Sequence, residues 1–211
     1  MAIRKPIVPN ILNANDHLAS TIKGDNPEIE EQHFSNQQIT DVNSTDIHFS
    51  ACRFDSCNLI QCDLKKARFC DVIFHTCDLS NTDLSFSHFN RVEFINCKLT
   101  GTHFMESEFL ATSFSDIQAK YAVFSSGKFR NVLFNQSQLQ EIALDNCRLE
   151  KVTFTNCNLS LAELYHTPLK DINLTTCDIT HIRLTGTELR GAIVTPAQAL
   201  GLSRLLGIII E

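Results

Sequence analysis

The 211-residue sequence has few of the features that mark an enzyme, a secreted protein or a membrane protein. It contains only seven glycines, and none of them forms a glycine-rich loop that could hold a phosphate group. No apolar run approaches the ~20 residues of a membrane span, and residues 1–30 lack the continuous apolar core of a signal peptide. The expected location is therefore the cytoplasm.

The sequence also lacks a basic surplus and a cluster of catalytic residues. The formal net charge is −6, whereas a nucleic-acid ligand would need a basic surface, so direct binding of nucleic acid is not expected. The eight histidines are scattered, and no cysteine or carboxylate lies beside them at the spacing of metal ligands. We therefore expect no metal, no cofactor, no catalytic residue and no enzyme activity.

What the sequence does contain is a large apolar residue at every fifth position. This series runs from Phe49 to Val194, and only Ala119 within it is small. A second series, two residues earlier, holds small or β-branched residues such as Ile47 and Cys52. A period of five fits neither a helix nor a flat strand, so the chain must turn at every fifth residue.

Taking every fourth member of the apolar series separates phenylalanine from leucine. Two columns are largely phenylalanine: Phe54, Phe74, Phe94, Phe114, Phe134 and Phe154 in one, and Phe49, Phe69, Phe89, Phe109 and Phe129 in the other. The other two columns are mainly leucine. The sequence therefore predicts a four-sided coil of twenty residues, repeated about seven times in a stack that is ~35 Å long.

Eight of the nine cysteines occupy the small inward series: Cys52, Cys57, Cys62, Cys77, Cys97, Cys147, Cys157 and Cys177. The spacing of adjacent rungs does not by itself forbid disulfides. A reducing cytosol and parallel side-chain directions argue against them, so we expect packed free thiols. Only Cys70 is expected to face outward.

Residues 1–46 are predicted to form an N-terminal cap and an irregular first coil. Three apolar residues spaced by four allow a short helix here: Ala14, Leu18 and Ile22. It would start near Asn13 or Asn15, stop at Gly24 and cover the open edge of the first coil. Ser44 departs from the apolar register, which suggests that this coil is ragged.

Residues 47–194 are the predicted β-helix, and residues 195–211 are a predicted C-terminal helix and tail. Thr195, Pro196 and Gln198 combine a capping box with proline at the first helical position. The apolar helix could cap the last coil, pair with a second copy, or do both. The predicted dimer interface is Leu200, Leu202, Leu205, Leu206, Ile208, Ile209 and Ile210.

Repeats such as Cys77-Asp78-Leu79-Ser80-Asn81 and Thr82-Asp83-Leu84-Ser85 resemble the pentapeptide-repeat family. This resemblance implies an all-β solenoid, a right-handed quadrilateral β-helix. The ending from Ala199 to Ile210 is similar to that of the Qnr and MfpA group. That likeness implies a dimeric rod ~70 Å long that mimics DNA, binds DNA gyrase or topoisomerase IV, modulates supercoiling and gives quinolone resistance. The register from Phe49 to Val194 admits no inserted loop, so the chain is more like the loop-free members.

Outward residues can be assigned to sides because the register is fixed. One side and its edges combine acids with outward apolar residues, and the predicted partner-binding residues are Asp83, Phe86, Met105, Glu106, Tyr121, Asp145, Glu163 and Tyr165. The same residues could also be ordinary solvated surface. The side that bears Phe49 to Leu189 is basic, with eight bases and five acids. The alternative to a topoisomerase-binding protein is a non-enzymatic rod that scaffolds another cytoplasmic protein.

Overall fold

The computed structural model describes residues 3–23 and 27–209, and it shows a four-sided solenoid of parallel strands. Successive coils are in register at an offset of twenty residues, as in the pairing of Phe69 with Phe89 and of Val132 with Val152. The predicted coil length and fold class are confirmed. We number the sides by the apolar column that each carries: side 1 (Phe49), side 2 (Phe54), side 3 (Leu59) and side 4 (Leu64).

The strands of the described residues lie mostly on sides 1 and 2. They are β1 (Asn13–Ala14), β2 (Glu28–Glu30), β3 (Gln32–Ser35), β4 (Gln38–Thr40), β5 (His48–Ser50), β6 (Arg53–Asp55), β7 (Asn58–Ile60), β8 (Arg68–His75), β9 (His88–Ile95), β10 (Glu108–Leu110), β11 (Ser113–Ser115), β12 (Lys128–Asn135) and β13 (Arg148–Thr155). Sides 3 and 4 are joined largely by single bridges, such as that between Asp78 and Lys98. The helices are α1 (Leu18–Thr21), α2 (Pro196–Leu202) and two 3-10 turns, Thr187–Leu189 and Ser203–Leu206.

The two phenylalanine columns form continuous stacks inside the coil. The ring centroids of Phe94 and Phe114 are 4.9 Å apart and those of Phe114 and Phe134 are 4.7 Å apart, with nearly parallel planes. The spacing equals the rise between rungs, so each ring lies on the ring of the next coil. Ala119 is the one small residue of the apolar series, and the larger Ile117 lies two places earlier in the small series. Both are buried, so the two positions exchange volume and roughly conserve the packing.

The small inward residues do more than fill space. The hydroxyl of Thr102 donates to the carbonyl of Leu79 at 2.8 Å, and the thiol of Cys97 lies 3.4 Å from the carbonyl oxygen of Phe74. Each contact reaches back twenty-three residues to the preceding coil. All nine cysteines are free thiols, and burial raises the pKa of Cys52 to about 11 and that of Cys147 to about 12. The eight inward cysteines are buried free thiols, as predicted.

Nearly every turn of the coil places a residue in the left-handed region, two positions after the inward residue. Among the residues that the structure describes, twenty-nine non-glycine residues have this conformation, and eleven of these are Asn or Asp, the types that adopt it at least cost. The sequence predicted a turn at this period, and the structure shows its backbone geometry.

The corner at Thr76 (φ 56°) suits its residue poorly, because a β-branched side chain is strained in the left-handed region. Replacing this exposed residue with glycine should raise the free energy of unfolding by about 0.5–1 kcal/mol, since the relief of strain exceeds the added entropy of the unfolded chain. The same change at Thr155, in the extended strand β13, should lower the free energy of unfolding by about 0.5–1 kcal/mol. Urea denaturation of both variants checks the opposite signs; destabilisation by Thr76→Gly would contradict the strain argument.

The N-terminal region differs from the sequence prediction in detail. Ala14 lies in strand β1, which pairs with β3, and the helix is a single turn that begins at Leu18 after His17. Leu18 is buried in the core, so the predicted covering role fits this turn. Ser44 is also inward and donates from its hydroxyl to the carbonyl of Ile22, so the first coil is closed by a polar contact where an apolar residue was expected. The predicted stop, Gly24, lies outside the described residues.

The last coil contains a buried carboxylate. Glu188 occupies an outward place of side 1 in the five-residue register, yet it is only 5% exposed. Its Oε1 accepts from the backbone N–H of His166 at 2.9 Å, and its Oε2 accepts from the N–H groups of Thr185 and Gly186 at 3.0 Å. Glu188 therefore replaces a ladder carbonyl where the chain leaves the regular path at Gly186 (φ 104°).

Helix α2 begins with the predicted capping box. The side chain of Thr195 accepts from the N–H of Gln198, and that of Gln198 accepts from the N–H of Thr195. The Nε2 of Gln198 also donates to the carbonyls of Leu174 and Cys177 at 2.9 and 2.8 Å. The helix is thereby fixed onto the last coil.

Candidate protein-binding surface

Side 4 brings part of the predicted partner-binding set together. Phe86 is 43% exposed at the corner between sides 4 and 1, and its N–H donates to the carbonyl of Met105 on the next coil at 2.8 Å. Met105 is also exposed, and Glu106 occupies the corner that follows it. These three residues form one small apolar surface with an acidic edge.

The two tyrosines of the predicted set lie apart from this surface. Tyr121 is exposed at the corner between sides 3 and 4, where the Nζ of Lys120 lies 4.6 Å from its ring centroid. Tyr165 is exposed three coils beyond Met105, which is ~14 Å along the rod. The predicted residues therefore share one side and its edges without forming a single patch.

Several acids of side 4 are partly neutralised by neighbouring bases. The Nζ of Lys65 lies 2.9 Å from a carboxylate oxygen of Asp63 and 3.2 Å from one of Asp83. Burial opposes ionisation of Asp83, but hydrogen bonds from Ser85 and the contact with Lys65 outweigh it and lower its pKa.

Farther along the rod, Glu163 contacts Arg183 at 2.7 Å, while Asp145 accepts from the hydroxyl of Ser125 at 3.1 Å. Because Lys65 and Arg183 lie against Asp63, Asp83 and Glu163, the negative potential of side 4 is weaker than the number of acids suggests.

The predicted dimer residues divide into buried and exposed groups. Leu202 is buried against the core, and Leu205 packs partly against it. Leu200, Ile208 and Ile209 are exposed, Ile209 by 88%. The side chain of Leu206 and all of Ile210 lie outside what the structure describes. An open cavity of about 440 Å³ between α2 and the last coil adds apolar surface at this end, lined in part by Ile179, Ile182 and Leu202.

A polar cluster on side 2 was not recognised from the sequence. Asp55 accepts from Arg53 at 2.6 Å, and its two oxygens lie 2.7 Å from the Nε2 of His33 and 3.0 Å from the Nδ1 of His75. The signal was present, because His75 lies twenty residues after Asp55 and Arg53 twenty after His33. Within the described part of the chain, no group of three potential metal ligands has suitable geometry, and no helix could span a membrane.

The comparisons with known proteins agree with this fold. A family model described as pentapeptide repeats (8 copies) matches residues 47–85, and one described as a pentapeptide repeat region matches residues 87–156; together they cover just over half of the chain. No curated protein sequence matches.

Solved structures also match. HetL, a pentapeptide repeat protein involved in heterocyst differentiation regulation from the cyanobacterium Nostoc sp. strain PCC 7120, has 18% identity and a TM-score of 0.61, over 83% of this chain and 90% of HetL. Full-length QnrB1, a plasmid-mediated fluoroquinolone resistance protein, has 22% identity and a TM-score of 0.38, over 93% of this chain and 95% of its own. The likeness to HetL concerns the fold alone, and the likeness to QnrB1 is too low to add to it. On the two family models and the twenty-residue coil, the chain belongs to the pentapeptide repeat family.

Proposed function

We propose that this protein acts in the cytoplasm as a dimeric rod that binds DNA gyrase or topoisomerase IV in place of DNA. The observation that carries the proposal is the unbroken register of the rod combined with exposed apolar residues at one end. The apolar column of side 1 spans eight coils from Ile29 to Leu189, a length of ~38 Å. Two copies joined at α2 would form a rod ~75 Å long. The sequence resemblance of this end to the Qnr and MfpA group supports the same reading.

Charge limits how the rod could imitate DNA. A duplex of ~38 Å carries ~22 negative charges at one per ~1.7 Å, whereas this chain has a net charge of −6. Rod width, rod length and the acids of side 4 must therefore contribute more than total charge. The contact would use Phe86 and Met105 with the acids beside them, since an exposed apolar surface with a polar edge is typical of protein interfaces.

Supercoiling by purified DNA gyrase should fall progressively as this protein is added, because the rod occupies the site that DNA would use. In the presence of ciprofloxacin, the amount of cleaved DNA should fall as well. Ile209→Asp, at the exposed tail, should give a monomer by light scattering and should weaken inhibition at least fivefold. The matched control is Ile11→Asp, which is equally exposed at the other end and should change neither measurement.

Unchanged supercoiling at stoichiometric excess, or a wild-type protein that is monomeric at micromolar concentration, would contradict the proposal. The alternative, a scaffold for a different protein, is favoured by the exposed side chains of Phe86 and Met105 on adjacent coils, which do not depend on a dimer. Capture of a partner other than a topoisomerase, lost in Phe86→Ser, would support that alternative.

A further inference from the structure

Side 1 carries a run of basic side chains toward its C-terminal end. Six exposed cations lie on four successive coils: Lys128, Arg130, Arg148, Lys151, Lys170 and Arg190. At ~4.8 Å per coil they occupy ~14 Å of the rod. We call this set the basic strip.

The basic strip contains like-charged neighbours on successive coils. Elsewhere on the rod, opposite charges twenty residues apart form ion pairs, as in Lys98 with Asp78 at 3.7 Å. In the basic strip, Lys128 of β12 is the in-register neighbour of Arg148 of β13. Like charges at this separation oppose each other, and an anion bound between them removes the repulsion.

The acids of side 1 form ion pairs with only two of these six cations. Glu108 contacts Lys128 at 2.6 Å and Glu150 contacts Arg130 at 3.1 Å. Glu188 is buried and accepts from the N–H groups of His166, Thr185 and Gly186, and Asp71 is held by Arg91 at 2.6 Å. The fifth acid, Asp171, is exposed at the corner after Lys170, and no base lies within 4.0 Å of it among the residues that the structure describes.

The remaining four bases of the basic strip have no acidic partner within 4.0 Å among the residues that the structure describes: Arg148, Lys151, Lys170 and Arg190.

Two grooves run along the basic strip. The first, of about 430 Å³, is lined by Lys128, Arg130 and Arg148 and also by Glu108 and Glu150, the acids that pair with Lys128 and Arg130. A second groove of about 490 Å³ is lined in part by Lys170 and Arg190. Both are open to solvent, and they lie in line along the rod.

We propose that the basic strip binds a short acidic segment of a partner protein. Several carboxylates on one segment would lie between the like-charged neighbours and pair with the four free bases. A nucleic acid fits less well, because a duplex with one charge per ~1.7 Å would extend beyond ~14 Å onto a chain whose net charge is −6. An acidic segment of limited length interacts mainly with the strip, since charges beyond ~8–10 Å are screened at physiological salt. This proposal does not depend on the topoisomerase proposal.

Fluorescence anisotropy with the full-length protein tests it. The probe is a labelled dodecapeptide of alternating glutamate and serine, with a lysine and serine dodecapeptide and a labelled 20-base-pair duplex as comparisons. The acidic peptide should bind, and its affinity should fall about tenfold or more in the double variant Lys170→Glu/Arg190→Glu, because two attractions become repulsions. The matched control is Lys98→Glu/Lys120→Glu, which changes the net charge equally on another side and should alter the affinity less than twofold.

All substituted residues are at the surface, so both variants should retain the wild-type thermal transition. Absence of acidic-peptide binding, tighter binding of the duplex, or equal losses in the two double variants would overturn the proposal.

Discussion

Phe114→Ala should lower the free energy of unfolding by about 3–5 kcal/mol. The ring of Phe114 is fully buried and lies between the rings of Phe94 and Phe134, at 4.9 and 4.7 Å. Its removal loses the burial of the ring and leaves a cavity that the hydrogen-bonded rungs above and below cannot close. The measurement is urea denaturation followed by circular dichroism.

The control for this variant is Phe86→Ala, the same chemical change at the exposed phenylalanine. Because Phe86 is 43% exposed and packs against no column, its loss should cost less than about 1 kcal/mol. A cost below 1 kcal/mol at Phe114 would contradict the stacked core. In a solenoid each coil contacts only its neighbours. A broader urea transition for Phe114→Ala would therefore indicate that the two halves of the rod unfold at different urea concentrations.

Glu188→Gln should lower the free energy of unfolding by about 2–4 kcal/mol at pH 7. The carboxylate accepts hydrogen bonds from three backbone N–H groups and the hydroxyl of Thr185. The glutamine side chain has the same size, but its NH2 group replaces one carboxylate oxygen. This NH2 group cannot accept a hydrogen bond, so backbone N–H groups that it faces lose their acceptor.

The cost of Glu188→Gln should also depend on pH. Burial alone raises the pKa of Glu188, but the hydrogen bonds from the backbone of His166 and from Thr185 outweigh it and lower the pKa to about 2. A carboxyl with a depressed pKa stabilises the fold above its unfolded value, ~4.3, and loses that contribution as the pH falls toward 2. The difference between wild type and variant should therefore be constant above about pH 5 and shrink below it.

Glu150→Gln serves as the control, because Glu150 is an exposed acid of the same side, paired with Arg130. An exposed ion pair contributes less than about 1 kcal/mol, so this change should be small. Equal effects at the two positions, or a Glu188 effect that does not vary between pH 7 and pH 3, would show that the carboxylate does not replace the ladder carbonyl.

Most of the fold could be predicted from the sequence because a five-residue period has one physical solution. Once the turn at every fifth residue was recognised, the phenylalanine columns fixed the coil at twenty residues, and the register then placed Cys97 inside and Phe86 outside. The same register could have located the cluster around Asp55. The frequent Asn and Asp two positions after the inward residues also indicated a left-handed backbone at the corners.

Other features could not be predicted from the apolar period, because they depend on places where the backbone departs from the regular coil. Glu188 occupies an outward place in the register, and only the turn at Gly186 brings its carboxylate inside. Ser44 was interpreted as an irregularity, whereas its hydroxyl completes the first coil by donating to the carbonyl of Ile22, directly after α1. The partner-binding prediction was limited in a different way. The register predicts the side and the coil of Tyr121 and Tyr165, but the ion pairs that Lys65 and Arg183 form with the acids are seen only in the structure.

The in-register pairing of rungs also determines how the rod could change in length. Each coil is hydrogen-bonded only to the coil above and the coil below it, at an offset of twenty residues. Loss or duplication of one whole coil would therefore bring equivalent strand edges together again and change the length of the rod by ~4.8 Å. One added residue would shift every later side chain by one place and expose the phenylalanine columns. The length of the rod can therefore change only in whole coils, and it can be matched to the length of a partner's binding site only in steps of ~4.8 Å.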